Sequence, residues 1–315
     1  MTSKFDVIES AKIYSNTMLS RLCQALAKAS LGDSVCVVIT GSFGRKEASG
    51  ESDVDFFIVH DSKISDSQAE LHKATVASEI DKVIPKPPAE DGAFNATVSI
   101  DSLLQNIGGS NESNLMMTRR MLLMLEGACI YNELLFKVIR RQILDRYITH
   151  KISNHQVALF FLNDVIRYYR TMCVDFEYKT VEQRKPWGIR NLKLMYSRKL
   201  LYFGGVVAVA ESAQRGYEAK VVRMLELLEI TPIQRIESLF GDRAFECLAF
   251  YEKFLTKIQD QGFRASLANV TIDRETHTDA FRELKDEAQH FTWALQQLLE
   301  SRYVAGHPIH RALIF

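Results

Sequence analysis

The stretch that decides the reading runs Val35-Cys36-Val37-Val38-Ile39-Thr40, Gly41-Ser42-Phe43-Gly44-Arg45-Lys46-Glu47, Ala48-Ser49-Gly50-Glu51, Ser52-Asp53-Val54-Asp55-Phe56-Phe57-Ile58-Val59. Its first six residues are a short β-branched run bounded by turn residues, the pattern of a buried strand. A second apolar strand is expected over Val54–Val59. Between them the chain turns through Gly41 and Gly44, which lack a Cβ and let a ligand approach the backbone. Exposed N–H groups there, with the Ser42 hydroxyl, would form a nest for phosphate oxygens. Asp53 and Asp55 are one residue apart, so on a strand their side chains share a face. Two adjacent carboxylates repel unless a cation lies between them. Hard oxygen ligands of this kind suit Mg²⁺ held jointly with substrate phosphates. A phosphate cradle beside metal-holding acids is the basic equipment of phosphoryl or nucleotidyl transfer. The blander alternative is a strand-to-helix turn followed by an aspartate that closes a strand. Arg45 and Glu47 either pair to hold the loop's shape or contact nucleotide; Ser52 bonds the loop, and Lys46 is a solvated lysine.

Working outward, Ile8, Ala11, Met18, Leu22 and Leu26 recur at helical spacing before the first strand. A helix is expected over Ser67–Val83, a break at Pro85, Pro87 and Pro88, and a third strand over Phe94–Ile100. Beyond Gly109 no strand run stands out. Helical periodicity covers Ser113–Ile130, Asn132–Ile148, Asn154–Asp175, Gly188–Ser212, Tyr217–Leu228, Arg243–Gln261 and Thr276–Ser301, with breaks that include Pro186, Pro232 and Gly241. The organisation expected is α+β: a small N-terminal α/β domain over residues 1–110 and a larger helical domain over 111–315.

The stretch resembles the DNA polymerase β-like nucleotidyltransferase superfamily. Gly-Ser-x-Gly-Arg-x-Glu followed by Ser-Asp-x-Asp between two apolar strands is similar in motif to bacterial PII uridylyltransferase and glutamine synthetase adenylyltransferase. The resemblance implies a mixed-sheet catalytic domain followed by a helical region. It implies two-metal transfer of an NMP group from an NTP donor to a hydroxyl acceptor, with release of pyrophosphate. Asp53 and Asp55 would hold Mg²⁺, and Gly41 and Ser42 would bind the β- and γ-phosphates, with Arg45 a further candidate nucleotide contact. The acceptor is left open between a protein side chain, a small molecule and a tRNA 3′ end. The family usually adds a third carboxylate on a neighbouring strand. The run Phe94–Ile100 contains none; Asp91 is the first candidate and Glu90 the next, while Asp101 reads as the N-cap of the following helix. Without that acid the protein would be a nucleotide-binding regulatory or interaction protein.

The chain has 315 residues, with 39 Lys+Arg against 39 Asp+Glu and a formal net charge of zero. Neutrality argues against a protein that coats long nucleic acid. It conceals an uneven distribution, since Lys137–Lys199 holds 14 Lys+Arg against five acids. There Asn163, Arg167 and Arg170 share one helix face by spacing. So do Arg190, Lys193 and Ser197, the expected nucleotide clamp, although solvated faces are the ordinary fate of such runs. The five cysteines are far apart in sequence and read as reduced, mostly buried thiols. The N-terminus lacks a signal-peptide pattern, and the longest apolar stretch, near Leu200–Ala210, is shorter than the roughly 20 residues that span a bilayer. A cytoplasmic protein that does not enter the membrane is expected.

Overall fold

In a computed structural model the residues described are 5–84, 86 and 96–314. They divide into two compact units: Glu9–Lys151, and Ile152 onward together with the first residues of the N-terminal helix.

In the first unit, helix α1 (Asp6–Ala27) leads to strand β1 (Val35–Thr40), the single turn α2 (Gly41–Gly44) and strand β2 (Asp55–His60). Helix α3 (Asp66–Val83), strand β3 (Ala96–Ser99), helix α4 (Ile100–Leu104) and helix α5 (Asn114–Leu125) follow. Strand β4 (Ala128–Tyr131) and helix α6 (Glu133–Tyr147) complete the unit. The sheet order is β3-β2-β1-β4; β1 is antiparallel to both neighbours, and β2 and β3 run parallel. The mixed α+β sheet expected from the sequence is present.

All six residues of β1 are buried, because helices cover both faces. Val35, Val37 and Ile39 face a core shared with Leu22 and Leu26 of α1, Phe56 and Ile58 of β2, and Val76 and Ile80 of α3. Each such side chain contributes about 1.5–3 kcal/mol on burial. Helices α5 and α6 also pack on β1. Helix α3 starts at a capping box in which Ser65 accepts from Gln68 N and Gln68 reaches back to the Ser65 backbone. Asn132 caps α6 at φ 61°, a left-handed conformation that asparagine tolerates.

The unit runs to Lys151, since β4 pairs with β1 and helices α5 and α6 pack on β1. Strand β4 went unread in the sequence. Its four residues are too few to show alternation, and its pairing with β1 is interrupted by a register shift between Val37 and Val38. The cap of α4 is Ser99, whose side chain accepts from Ser102 N, so Asp101 lies in the first turn instead. All five cysteines are free, but only Cys36 and Cys247 are buried. Cys36 and Cys129 approach to 3.8 Å between sulfurs. That hydrogen bond, together with burial, holds the Cys36 thiol well above its ordinary pKa.

The second unit contains helices α7 (Leu159–Val181), α8 (Trp187–Lys193), α9 (Lys199–Ala210), α10 (Tyr217–Glu229), α11 (Pro232–Phe240), α12 (Phe245–Gln259), α13 (Gln261–Ser266), α14 (Asp279–Arg302) and α15 (Pro308–Ile314). A π-helical turn, Leu194–Arg198, joins α8 to α9. Pro232 does not merely break the chain but opens α11 at its first position, behind a Thr231–Gln234 capping box. Tyr196 stacks on Phe254 and Phe291 and donates to Leu284 O at 2.8 Å. Buried Lys220 donates to the carbonyls of Asn154, Gln156 and Ser212. Among the described residues no helix is long and apolar enough to cross a membrane.

Candidate active site

The register of β1 against β2 ends with Thr40 opposite Asp55, so the residue after β1 arrives beside the start of β2. That residue is Gly41, at φ +69°. A Cβ on it would lie 2.7 Å from Oδ2 of Asp55. Glycine is therefore required twice, for the left-handed backbone and for the space that the carboxylate occupies. Gly44 is required differently: a Cβ there would run into the carbonyl oxygen of Glu126 and lie 3.0 Å from that of Ile39. Gly41→Ala is expected to lower stability by about 1–2 kcal/mol through backbone strain alone. It should also displace Asp55, and with it any Mn²⁺ that this carboxylate holds. Denaturant unfolding and a Mn²⁺ titration check this, and wild-type values in both would contradict it.

The rest of the loop is built inward. Arg45 and Glu47 are each 5% exposed. Arg45 Nε donates to Glu47 Oε2 at 2.8 Å, and its Nη1 to Glu126 Oε2 at 2.6 Å. The other oxygen of Glu126 accepts from the Gly41 amide at 2.9 Å. Of the two sequence readings of Arg45, its burial and these pairings fit the loop-holding one. The Gly41 amide, expected to be open to phosphate, is buried against Glu126. Ser42 O accepts from Glu47 N at 2.8 Å, and Ser52 closes the loop through its bonds with Ser49. Ser42 is half-exposed, and its hydroxyl makes no hydrogen bond among the described residues. It is thus available to a ligand.

Asp53 lies in the loop just before β2, and Asp55 is the first residue of the strand; both are half-exposed. Two half-exposed carboxylates one residue apart, one of them resting against Gly41, are a donor set that fits Mg²⁺, which completes its shell with water and phosphate oxygens. Among the described residues no cluster of three or more His, Cys, Asp or Glu forms a metal site. Asp91 and Glu90 lie outside the described residues, and Asp101 is exposed.

Arg190, Lys193 and Ser197 fall in the second unit. Arg190 and Lys193 are half-exposed, whereas Ser197 is 4% exposed. The π-turn explains the difference. It takes roughly one residue more per turn than an α-helix, so Arg198 rather than Ser197 lies two turns on from Arg190. The expected stripe therefore loses Ser197 to the interior and gains the half-exposed Arg198. Partial burial pulls the Arg190 guanidinium below its ordinary pKa, with Asp175 opposing. Arg167 pairs with buried Asp164 at 3.2 Å, and Arg170 is exposed on the same face of α7.

Sequence reading missed Glu126 altogether. It lies 85 residues from Gly41 in a segment with no motif of its own.

Residues 19–97 match the family described as Nucleotidyltransferase domain. This stretch, which carries strands β1 and β2 and the glycine turn between them, is thus similar to nucleotidyltransferase domains. Comparison with curated proteins and with solved structures gives no match.

Proposed function

We propose that the chain is a Mg²⁺-dependent nucleotidyltransferase that moves NMP from an NTP to a hydroxyl acceptor and releases pyrophosphate. The observation that carries this reading is the seat of Asp55 against Gly41, beside the open Ser42 hydroxyl, in a stretch of nucleotidyltransferase type. Asp53 and Asp55 would hold Mg²⁺, with Asp91 the third carboxylate of a two-metal arrangement. The metal supplies charge neutralisation at the triphosphate and at the pyrophosphate leaving group. Ser42 donates a hydrogen bond from its hydroxyl to a phosphate oxygen, and Gly41, bare of a side chain, leaves room for the Asp55 carboxylate beside it. Asp91, as a base, takes the proton of the acceptor hydroxyl. Of the expected clamp residues Arg190, Lys193 and Ser197, the first two are half-exposed and able to meet a phosphate, whereas Ser197 is buried and is the weakest member.

The helical region selects the acceptor, since the transfer chemistry is generic. Motif similarity to PII uridylyltransferase and glutamine synthetase adenylyltransferase favours a protein side chain over a small molecule or a tRNA end. Five free thiols fit a reduced, cytoplasmic setting.

The test is incubation of the protein with labelled NTPs, Mg²⁺ or Mn²⁺ and cell extract, beside the Asp53→Ala/Asp55→Ala double variant. Label transfer by the wild type alone supports the reading. Nucleotide binding with no transfer to any acceptor would replace it with a regulatory nucleotide-binding protein.

A further inference from the structure

Glu126 sits between the end of α5 and the start of β4, outside the family-matched segment. Its side chain is fully buried. Its two oxygens point to two parts of the glycine loop, the Gly41 amide at 2.9 Å and Arg45 Nη1 at 2.6 Å. Its own carbonyl fills the space that a side chain at Gly44 would need. Its amide is fixed in turn by Leu122 O at 3.1 Å, the last bond of α5. One residue thus touches the loop at three points and is itself held by a helix end. A carboxylate suits the position because it accepts on both oxygens; an amide has a single acceptor oxygen and turns a donor toward the other partner. The Gly41 backbone it holds is the one against which the Asp55 carboxylate rests.

We propose that Glu126 is a positioning residue of the site. It holds Gly41 and Arg45 together, fixes the left-handed turn, and so sets the place of the Asp55 carboxylate toward a divalent cation with its nucleotide. The ligand part of this rests on the nucleotidyltransferase reading; the loop geometry does not.

The test uses the full chain and two readouts. Thr-Gly occurs once in the sequence, at Thr40-Gly41. Labelling threonine with ¹³C′ and glycine with ¹⁵N therefore isolates the Gly41 amide signal. In the wild type this amide should exchange slowly with solvent. In Glu126→Gln its signal should move and its exchange should quicken by about tenfold, the equivalent of one hydrogen bond. The second readout is Mn²⁺ binding, followed by electron paramagnetic resonance, with each of ATP, CTP, GTP and UTP. Glu126→Gln and Glu126→Asp should both weaken it by about tenfold. Glu112→Gln, which breaks another buried carboxylate–arginine pair in the same unit, with Arg120, should leave it unchanged. Three results would overturn the proposal: a freely exchanging wild-type Gly41 amide, wild-type Mn²⁺ affinity in a folded Glu126 variant, or equal losses in Glu112→Gln. If Glu126→Gln does not fold, Glu126→Asp and the wild-type amide decide. If the wild type shows no Mn²⁺–nucleotide binding that Asp55→Asn abolishes, the nucleotidyltransferase reading falls, and the Gly41 amide alone decides the role of Glu126.

Discussion

Asp53→Asn and Asp55→Asn should each cut nucleotidyl transfer by about 10³-fold, because a metal-holding carboxylate contributes several kcal/mol at the transition state and each 1.36 kcal/mol is a factor of ten. Asparagine keeps the shape and one acceptor oxygen but removes the charge that holds a cation. Both carboxylates are half-exposed, so the folded state depends on them less than on the loop's interior charges. Thermal unfolding without metal should therefore stay close to the wild type or rise slightly, since two neighbouring negative charges become one. The same variants should lose the stabilisation that Mn²⁺ with NTP gives the wild type. Transfer assays and thermal melts with and without Mn²⁺ check the two halves separately. Full transfer by Asp55→Asn would remove the metal-site assignment. A large drop in metal-free stability would show the aspartates to be structural.

The parts of this architecture that were legible in the sequence are those with local causes. Strand β1 matches Val35–Thr40 because its β-branched run ends at turn residues on both sides. The glycines of the loop were legible as places of close approach, although what approaches Gly44 is the protein's own Glu126 carbonyl rather than a ligand. What stayed hidden depends on distant pairing or on register. Residues 128–131 form a strand only because β1 offers an edge. The burial of Ser197 follows from a π-turn that leaves no compositional mark. The proximity of Cys36 to Cys129 joins residues 93 apart. The role of Arg45 needed Glu126, since spacing shows only the partner two residues away.

That role gives the largest expected effect on stability. Arg45→Met keeps most of the side-chain volume but leaves Glu47 and Glu126 buried without their guanidinium. Removing one partner of a buried ion pair costs about 3–5 kcal/mol, because the remaining charge is uncompensated. Arg141→Met is the comparison. It breaks an exposed pair with Asp145 whose side chains are 34% and 36% accessible, so it should cost at most about 0.5 kcal/mol. Urea unfolding of both variants measures the difference. The experiment also separates the two sequence readings of Arg45. A nucleotide contact would lose affinity for NTP while the fold stayed intact. A residue that holds the loop loses stability first and nucleotide affinity only as a consequence. Arg45→Lys sharpens the distinction: one ammonium cannot reproduce the fork that reaches Glu47 through Nε and Glu126 through Nη1. It should therefore recover only part of the loss. Full recovery by lysine would mean that charge alone, not the two-point bridge, holds the turn on which Asp55 rests.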